Sequence, residues 1–351
     1  MTAAQAPTVE AGAAGHGAEP RGKRTDEGHA TYLIAIAEAL WEEMERDDRV
    51  YLLGEDIGAY GGAFKVTEGF IERFGAERVM DTPIAEETIV GMAIGSAMEG
   101  FRPVAEFQYA DFMSSGFDEI TTALARYHYR SGVPLPVVLR APSGGMVRAS
   151  SFHSINPEPW FAYAGGIKVM CPAFPADAKG LLKSAIRDDN PCMFLEHKWI
   201  YRRVKEAVSE DPDFLVPIGQ ANVRRDGDDV SIVTYGAMVH KALEAAESLA
   251  GKGVSAEVVD LRTIYPLDEE AVLRSIEKTS RALVLSESYR FVGIGAEVAA
   301  TIAEKAFEHL DAPVVRLSPP NMPVPFSPTL EDAFLPQVSD IEQAVERLSA
   351  W

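Results

Sequence analysis

Two α/β domains, each a largely parallel sheet clad in helices, are predicted from three features of the chain. Short β-branched apolar runs alternate with segments of helical periodicity along most of its length. That alternation loosens once, over a charged and Pro-containing stretch from Lys198 to Asp229, and 351 residues exceed what a single core usually serves.

The first 28 residues are rich in Ala, Gly, Pro and charge without apolar periodicity, which reads as a disordered leader. It has no secretory apolar run, and Glu10, Glu19, Asp26 and Glu27 oppose an acid-poor transit peptide, so a cytoplasmic protein is expected. Order is expected from Thr31, a helix cap, because Leu33, Ile36, Ala37, Leu40, Trp41 and Met44 recur at helical spacing. Val50 to Leu53 reads as a buried strand ending in a Gly-rich turn. There follow a helix at 65–74, a strand at 78–81, a helix at 86–99, a strand at 103–107 and a helix at 116–130. Strands at 136–140 and 167–171, a helix at 175–187 and a strand at 192–195 complete the first domain, 29–205. A linker is expected over 206–228.

Beyond it the same grammar continues in a second domain, 229–351. Strands at 230–235, 256–261, 282–285 and 314–317 alternate with helices at 238–250, 268–277 and 294–309, and a last helix covers 339–349. Pro319 to Pro325 cannot form a regular helix and is expected to lie extended on the surface.

A net charge of −20 without a basic stripe disfavours nucleic acid, and no apolar run is long enough to span a bilayer. Cys171 and Cys192 both sit in apolar strand-like segments, so two buried thiols are expected rather than a disulfide or a zinc site. Gly91 to Gly95 and Gly293 to Gly295 are incomplete as dinucleotide loops, and no Walker-type phosphate loop is present.

Four residues draw attention by position alone. Glu86 and Glu87 open an apolar helix just after a strand, where capping is the better explanation but where a ligand site is also expected in an α/β sheet. Phe112, past the end of the strand at 103–107, reads as core at first, with stacking on a flat heterocycle as its rival. His153 follows a Gly-rich loop and fits a proton donor and a surface histidine equally well.

Several ordered motifs then agree. Leu53-Gly-Glu-Asp56, Asp81-Thr-Pro-Ile-Ala-Glu86, Ala105-Glu-Phe-Gln108, Tyr129-Arg-Ser-Gly132, Phe152-His-Ser154, Asp177-Ala-Lys-Gly-Leu181, Asn190-Pro191 and Val259-Asp-Leu-Arg-Thr263 resemble, in order, the β subunits of 2-oxoacid dehydrogenase E1 components, within the transketolase-like thiamine enzymes. The resemblance runs from about Thr31 to Val345. It implies a transketolase-like pyrimidine-binding domain followed by a smaller transketolase C-terminal domain.

The resemblance further implies thiamine diphosphate as cofactor, with Glu86 on the aminopyrimidine nitrogen, Phe112 packed on that ring, Ile84 beside it, and His153 donating a proton near the substrate carbonyl and the lipoyl group. In some relatives Leu135, Val137, Val138, Ala185, Ile186, Asp188 and Asn190 match a potassium site. The family's Gly-Asp-Gly motif for Mg²⁺ and diphosphate is absent, since Asp226-Gly-Asp-Asp229 differs from it, so the other half of the site is expected on an α subunit in an α₂β₂ assembly. The second domain is expected mainly to make subunit contacts. The partners implied are that α subunit and an acyltransferase (E2) with its lipoyl domain.

Tyr127 to Gly132, Asn156-Pro-Glu158 and Glu196 to Arg202 look closer to branched-chain than to pyruvate enzymes. Pyruvate or acetoin enzymes, a self-contained transketolase, and a non-catalytic nucleotide-binding scaffold are the alternatives.

Overall fold

The computed structural model describes residues 24–25 and 28–351. Most of the leader expected over 1–28 thus lies outside the described residues. Of its described residues, Arg24 donates to both oxygens of Glu38 (2.7 and 2.6 Å) and to the Val208 carbonyl (2.7 Å).

Fourteen strands are present among the described residues: β1 (His29–Thr31), β2 (Val50–Gly54), β3 (Val79–Asp81), β4 (Arg102–Glu106), β5 (Val138–Ser143), β6 (Lys168–Met170), β7 (Cys192–His197), β8 (Lys205–Ala207), β9 (Asn222–Arg225), β10 (Val230–Thr234), β11 (Ala256–Asp260), β12 (Thr263–Tyr265), β13 (Ala282–Leu285) and β14 (Val315–Leu317). Seven form the first sheet in the order β12-β6-β7-β5-β4-β2-β3, and five form the second in the order β14-β13-β10-β11-β9. All neighbours are parallel except the pairs β12–β6 and β11–β9. Helices on both faces make this the α/β architecture expected, because parallel strands need crossover connections that cover them.

Alternate residues of the first sheet serve two cores. Val50, Leu52, Val104, Val138 and Phe194 face the helices Tyr32–Arg46 and Pro175–Arg187, whereas Leu53, Ala105, Leu139 and Met193 face the helix Glu86–Met98. The second of these cores continues through Val233, Val259 and Val284 of the other sheet, so the two domains share an apolar junction. Thr31 caps its helix as expected, accepting from the Ile34 N–H. Both cysteines are free and buried. No helix among the described residues is long and apolar enough to cross a membrane.

Several expectations need correction. The helix expected over 65–74 spans only Phe70–Phe74, because Lys65 and Gly69 adopt left-handed backbone (φ 70° and 87°) and the chain turns instead. The helix at 116–130 is a succession of 3₁₀ (Ala110–Gly116), π (Glu119–Leu124) and α (Ala125–Ser131) turns. The stretch 206–228 is not wholly a linker, since β9 pairs with β11 inside the second sheet. Conversely, β12 leaves the second domain and extends the first sheet along β6.

One polar device ties the first sheet together. Arg140 on β5 is 2% exposed and donates to Glu106 on β4 (2.6 Å) and twice to Glu196 on β7 (2.6 and 2.9 Å), while the Tyr201 hydroxyl also donates to Glu196 (2.6 Å). Each neighbour lies within reach because Glu106 is in register with Arg140 and β7 is the next strand on the other side.

Candidate active site

Parallel strands end together, and the carboxyl edge of an α/β sheet is where side chains from different strands converge on a ligand. In the order β7, β5, β4, β2, β3, that edge carries Lys198, the 144–156 loop, Tyr109 to Phe112, Glu55 and the 82–86 turn.

Glu86 is the first residue of its helix, half-buried, and its carboxylate makes no hydrogen bond or ion pair with any described residue. Glu87 is exposed. Both carboxylates stand in the first turn of the helix, where they suit its N-terminus, and Glu86 is in addition within electrostatic range of Glu55. Glu55 is itself buried, and desolvation together with the nearby Glu86 charge holds its carboxyl above the usual range. Sequence reasoning quoted Glu55 in a motif without giving it a role; its signal was the same as that of Glu86, a carboxylate at the end of a parallel strand. Gly54 before it is required by close approach, since a Cβ there would sit 2.5 Å from the Glu106 carbonyl oxygen.

Ile84 is 81% exposed on the turn between β3 and the helix, an unusual setting for a branched apolar side chain. The Thr82 hydroxyl two residues earlier is buried without a partner among the described residues. The segment Ala110–Gly116 packs on the same helix start, where a Cβ on Gly116 would lie 3.3 Å from the Glu86 carbonyl oxygen. Phe112 lies in this same segment, half-buried rather than core.

His153 meets this segment from the loop. Its ring stands edge-on to Tyr109 (4.3 Å, 88°) and to Phe112 (5.4 Å, 77°), and Tyr109 and Phe112 are themselves perpendicular at 5.8 Å. Glu86, Phe112, Ile84 and His153 thus occupy neighbouring parts of one edge, with Glu55 and Tyr109 added by the fold. An uncommitted carboxylate, an aromatic face and an exposed apolar side chain fit a flat, partly polar heterocycle such as an aminopyrimidine.

The potassium residues fit their ligand less well. The Ile186 and Asp188 carbonyls accept from the Arg102 guanidinium (2.9 and 3.1 Å), and the Lys168 ammonium pairs with the Asp188 carboxylate. Leu135, Val137 and Ala185 carbonyls accept from the backbone N–H groups of Val137, Cys192 and Asp188, and both Asn190 nitrogens donate to Asp188 (2.8 and 2.9 Å). Val138 lies within β5. Despite partial burial, Lys168 and Asn190 hold the Asp188 carboxyl below its usual range. Two cationic side chains thus bond to part of the oxygen set that the resemblance assigns to potassium.

Residues 29–204 match the transketolase pyrimidine-binding domain and residues 219–341 the transketolase C-terminal domain. The chain is 48% identical to the 2-oxoisovalerate dehydrogenase subunit beta of Bacillus subtilis (strain 168), over 92% of this chain and 99% of that protein. It is 44% identical to the pyruvate dehydrogenase E1 component subunit beta of the same organism, over 91% and 98%. Among solved structures it resembles a split-gene transketolase described as an inactive beta4 tetramer, with a TM-score of 0.75, 25% identity and coverage of 91% and 98%.

Proposed function

Because the chain belongs to the transketolase-like family of 2-oxoacid dehydrogenase E1 β subunits, we propose that it forms half of a thiamine-diphosphate site, with Glu86 as the cofactor-activating carboxylate. The observation that carries this reading is the unpaired Glu86 carboxylate at the sheet edge, with Phe112 in the segment that packs on the same helix start. The reaction is oxidative decarboxylation of a 2-oxoacid and transfer of the acyl group to a lipoyl domain of an acyltransferase. A branched-chain 2-oxoacid is favoured over pyruvate by the relative at 48% identity, against 44% for the pyruvate enzyme.

Bound thiamine diphosphate supplies a nucleophilic carbon that adds to a ketone and an electron sink for the bond to the departing carboxylate. Glu86 holds a proton at a carboxyl oxygen, shared with a ring nitrogen, and Glu55 beside it limits the negative charge that the edge can carry. Phe112 gives the ring a flat apolar face, and Ile84 covers its rim. His153, held edge-on by Tyr109 and Phe112, presents a ring nitrogen for proton donation to the substrate carbonyl oxygen. Diphosphate and Mg²⁺ are assigned to an α subunit in an α₂β₂ assembly in the cytoplasm, with residues 29–205 as the first domain and a second domain that takes in β9 as well as residues 229–351.

The test is to titrate thiamine diphosphate and Mg²⁺ into the chain alone and into its complex with the candidate α subunit, following turnover of branched-chain 2-oxoacids and pyruvate. Cofactor binding and turnover should need both chains. Glu86→Gln should lower kcat by about 10²–10⁴-fold in a complex that still folds. Tight binding and turnover by the isolated chain, or full decarboxylation by Glu86→Gln, would overturn the assignment.

A further inference from the structure

The loop that carries His153, residues 144–156, is strained at its start and fixed at several points. Gly144, Met146, Arg148 and Ser150 all have left-handed backbone, with φ between 61° and 80°, and three of them are not glycine. Such a conformation persists only where the surroundings hold it. Glu287 accepts from the Gly145 N–H (2.6 Å) and from the Asn156 amide (3.2 Å). Glu331 accepts from the Met146 N–H (2.9 Å) and from Arg148 (2.7 Å). Asp111 stands against the far end of the loop, where burial raises its carboxyl above the usual range against the opposing pull of Lys198 and of the Ile155 and Ser154 backbone. Two carboxylates of the second domain therefore grip the loop, Glu287 at both ends and Glu331 near its start, and Asp111 from the Phe112 segment lies against its far end.

All three are buried or half-buried, and gathering them is electrostatically costly unless a positive charge stands among them. Lys198 occupies that position. It follows β7, its backbone N–H donates to the Ser143 carbonyl (3.1 Å) at the root of the loop, and it is 5% exposed. Its ammonium forms no hydrogen bond with any described residue, lies 5.8 Å from the centre of the Tyr109 ring on which His153 rests, and is acted on by Asp111, Glu287 and Glu331 together. A cation bonded to one carboxylate would serve that one alone. Arg148 serves Glu331 (2.7 Å) and His197 serves Glu287 (2.8 Å) in that way, whereas the Lys198 ammonium is shared among all three.

We propose that Lys198 is a positioning residue for His153, its buried ammonium acting as the common counter-charge of the carboxylates that pin the 144–156 loop. This rests on the reading that His153 works at the substrate. Burial depresses the lysine to about 8 against the pull of the three carboxylates, so the ion is held charged near neutral pH by them in return.

The experiment compares wild type, Lys198→Met and Lys198→Arg in the complex with the α subunit, by hydrogen exchange and steady-state kinetics. Lys198→Met should speed amide exchange in 144–156 by about tenfold or more while the sheet strands keep their protection. Its kcat should fall by about 10–100-fold with a smaller change in KM, and Lys198→Arg should restore part of both. Wild-type exchange in the loop, or exchange rising equally in both sheets as for a purely structural charge, would overturn the proposal. Should Lys198→Met fail to fold, Glu331→Gln gives the second arm. Faster exchange at 145–148 supports the clamp and unchanged exchange there refutes it. If His153→Ala keeps full activity, the role of His153 fails by itself, and the loop exchange still decides that of Lys198.

Discussion

Glu158 gives the domain junction a dependence on pH that can be worked out from its surroundings. Its carboxyl is buried, accepts from the Tyr235 hydroxyl of the second domain (2.7 Å), and lines a small cavity with Cys171, His197 and Glu287. Burial raises it to about 7 from its usual 4.5, opposed by the bonds from Tyr235 and Ser288 and assisted by the Glu287 charge. An acid whose affinity for its proton is higher in the folded state stabilises that state only while it is protonated. Its contribution is complete below pH 4.5 and is lost as pH rises through about 7. At about 1.4 kcal/mol for each tenfold change in proton affinity, the loss is on the order of 3 kcal/mol. Glu158→Gln keeps an acceptor for Tyr235 and removes the ionisation. Wild type should therefore weaken relative to Glu158→Gln by about 3 kcal/mol between pH 4.5 and pH 8, or about 4 °C in unfolding midpoint for a chain of this length. Thermal unfolding of both proteins across that range checks it. A difference that stays constant with pH, or that changes in favour of wild type at high pH, would refute the argument.

Two further outcomes follow from other buried charges. Arg140→Met leaves Glu106 and Glu196 facing each other inside the first sheet without their cation, which should cost about 3–5 kcal/mol of stability, read by denaturant unfolding; a loss below about 1 kcal/mol would mean that the sheet tolerates the pair alone. Exchanging sodium for potassium should leave the unfolding midpoint of wild type unchanged, because Arg102 and Lys168 already hold the carbonyls and the carboxylate at 186–188, and a potassium-specific rise in that midpoint would restore the metal.

Features set by neighbours in sequence were legible, and those set by distant ones were not. The alternation of Leu52 with Leu53 and of Val104 with Ala105 across two cores follows from the two-residue period of a strand, and Thr31 announces its helix within three residues. Glu86 and Phe112 could be picked out because strand ends can be read locally and the sheet edge then supplies the meaning. By contrast, β12 is three residues long and acquires its partner on β6 only through the tertiary fold. The cations that bond to the 186–188 stretch are as remote: Arg102 reaches the carbonyls of 186 and 188 from a neighbouring part of the sheet, and no local pattern gives its direction.

The second domain shows most clearly what was hidden. It was expected mainly to make subunit contacts, yet Glu287 and Glu331 reach from it into the loop that bears His153. Glu287 can do so because His197, the Gly145 N–H and Asn156 outweigh its burial and bring its carboxyl down to about 2, so it remains an acceptor throughout the physiological range. A carboxylate so strongly ionised inside a protein needs its cation nearby, and the same 196–198 stretch provides both His197 and Lys198. The end of β7 thus faces two ways. Glu196 locks Arg140 within the first sheet, while His197 bonds to Glu287 and Lys198 lies within the electrostatic reach of Glu287 and Glu331, the carboxylates by which the second domain holds the loop. Displacing the second domain would therefore free the His153 loop from Glu287 and Glu331, whereas Glu86 makes no hydrogen bond to the second domain among the described residues.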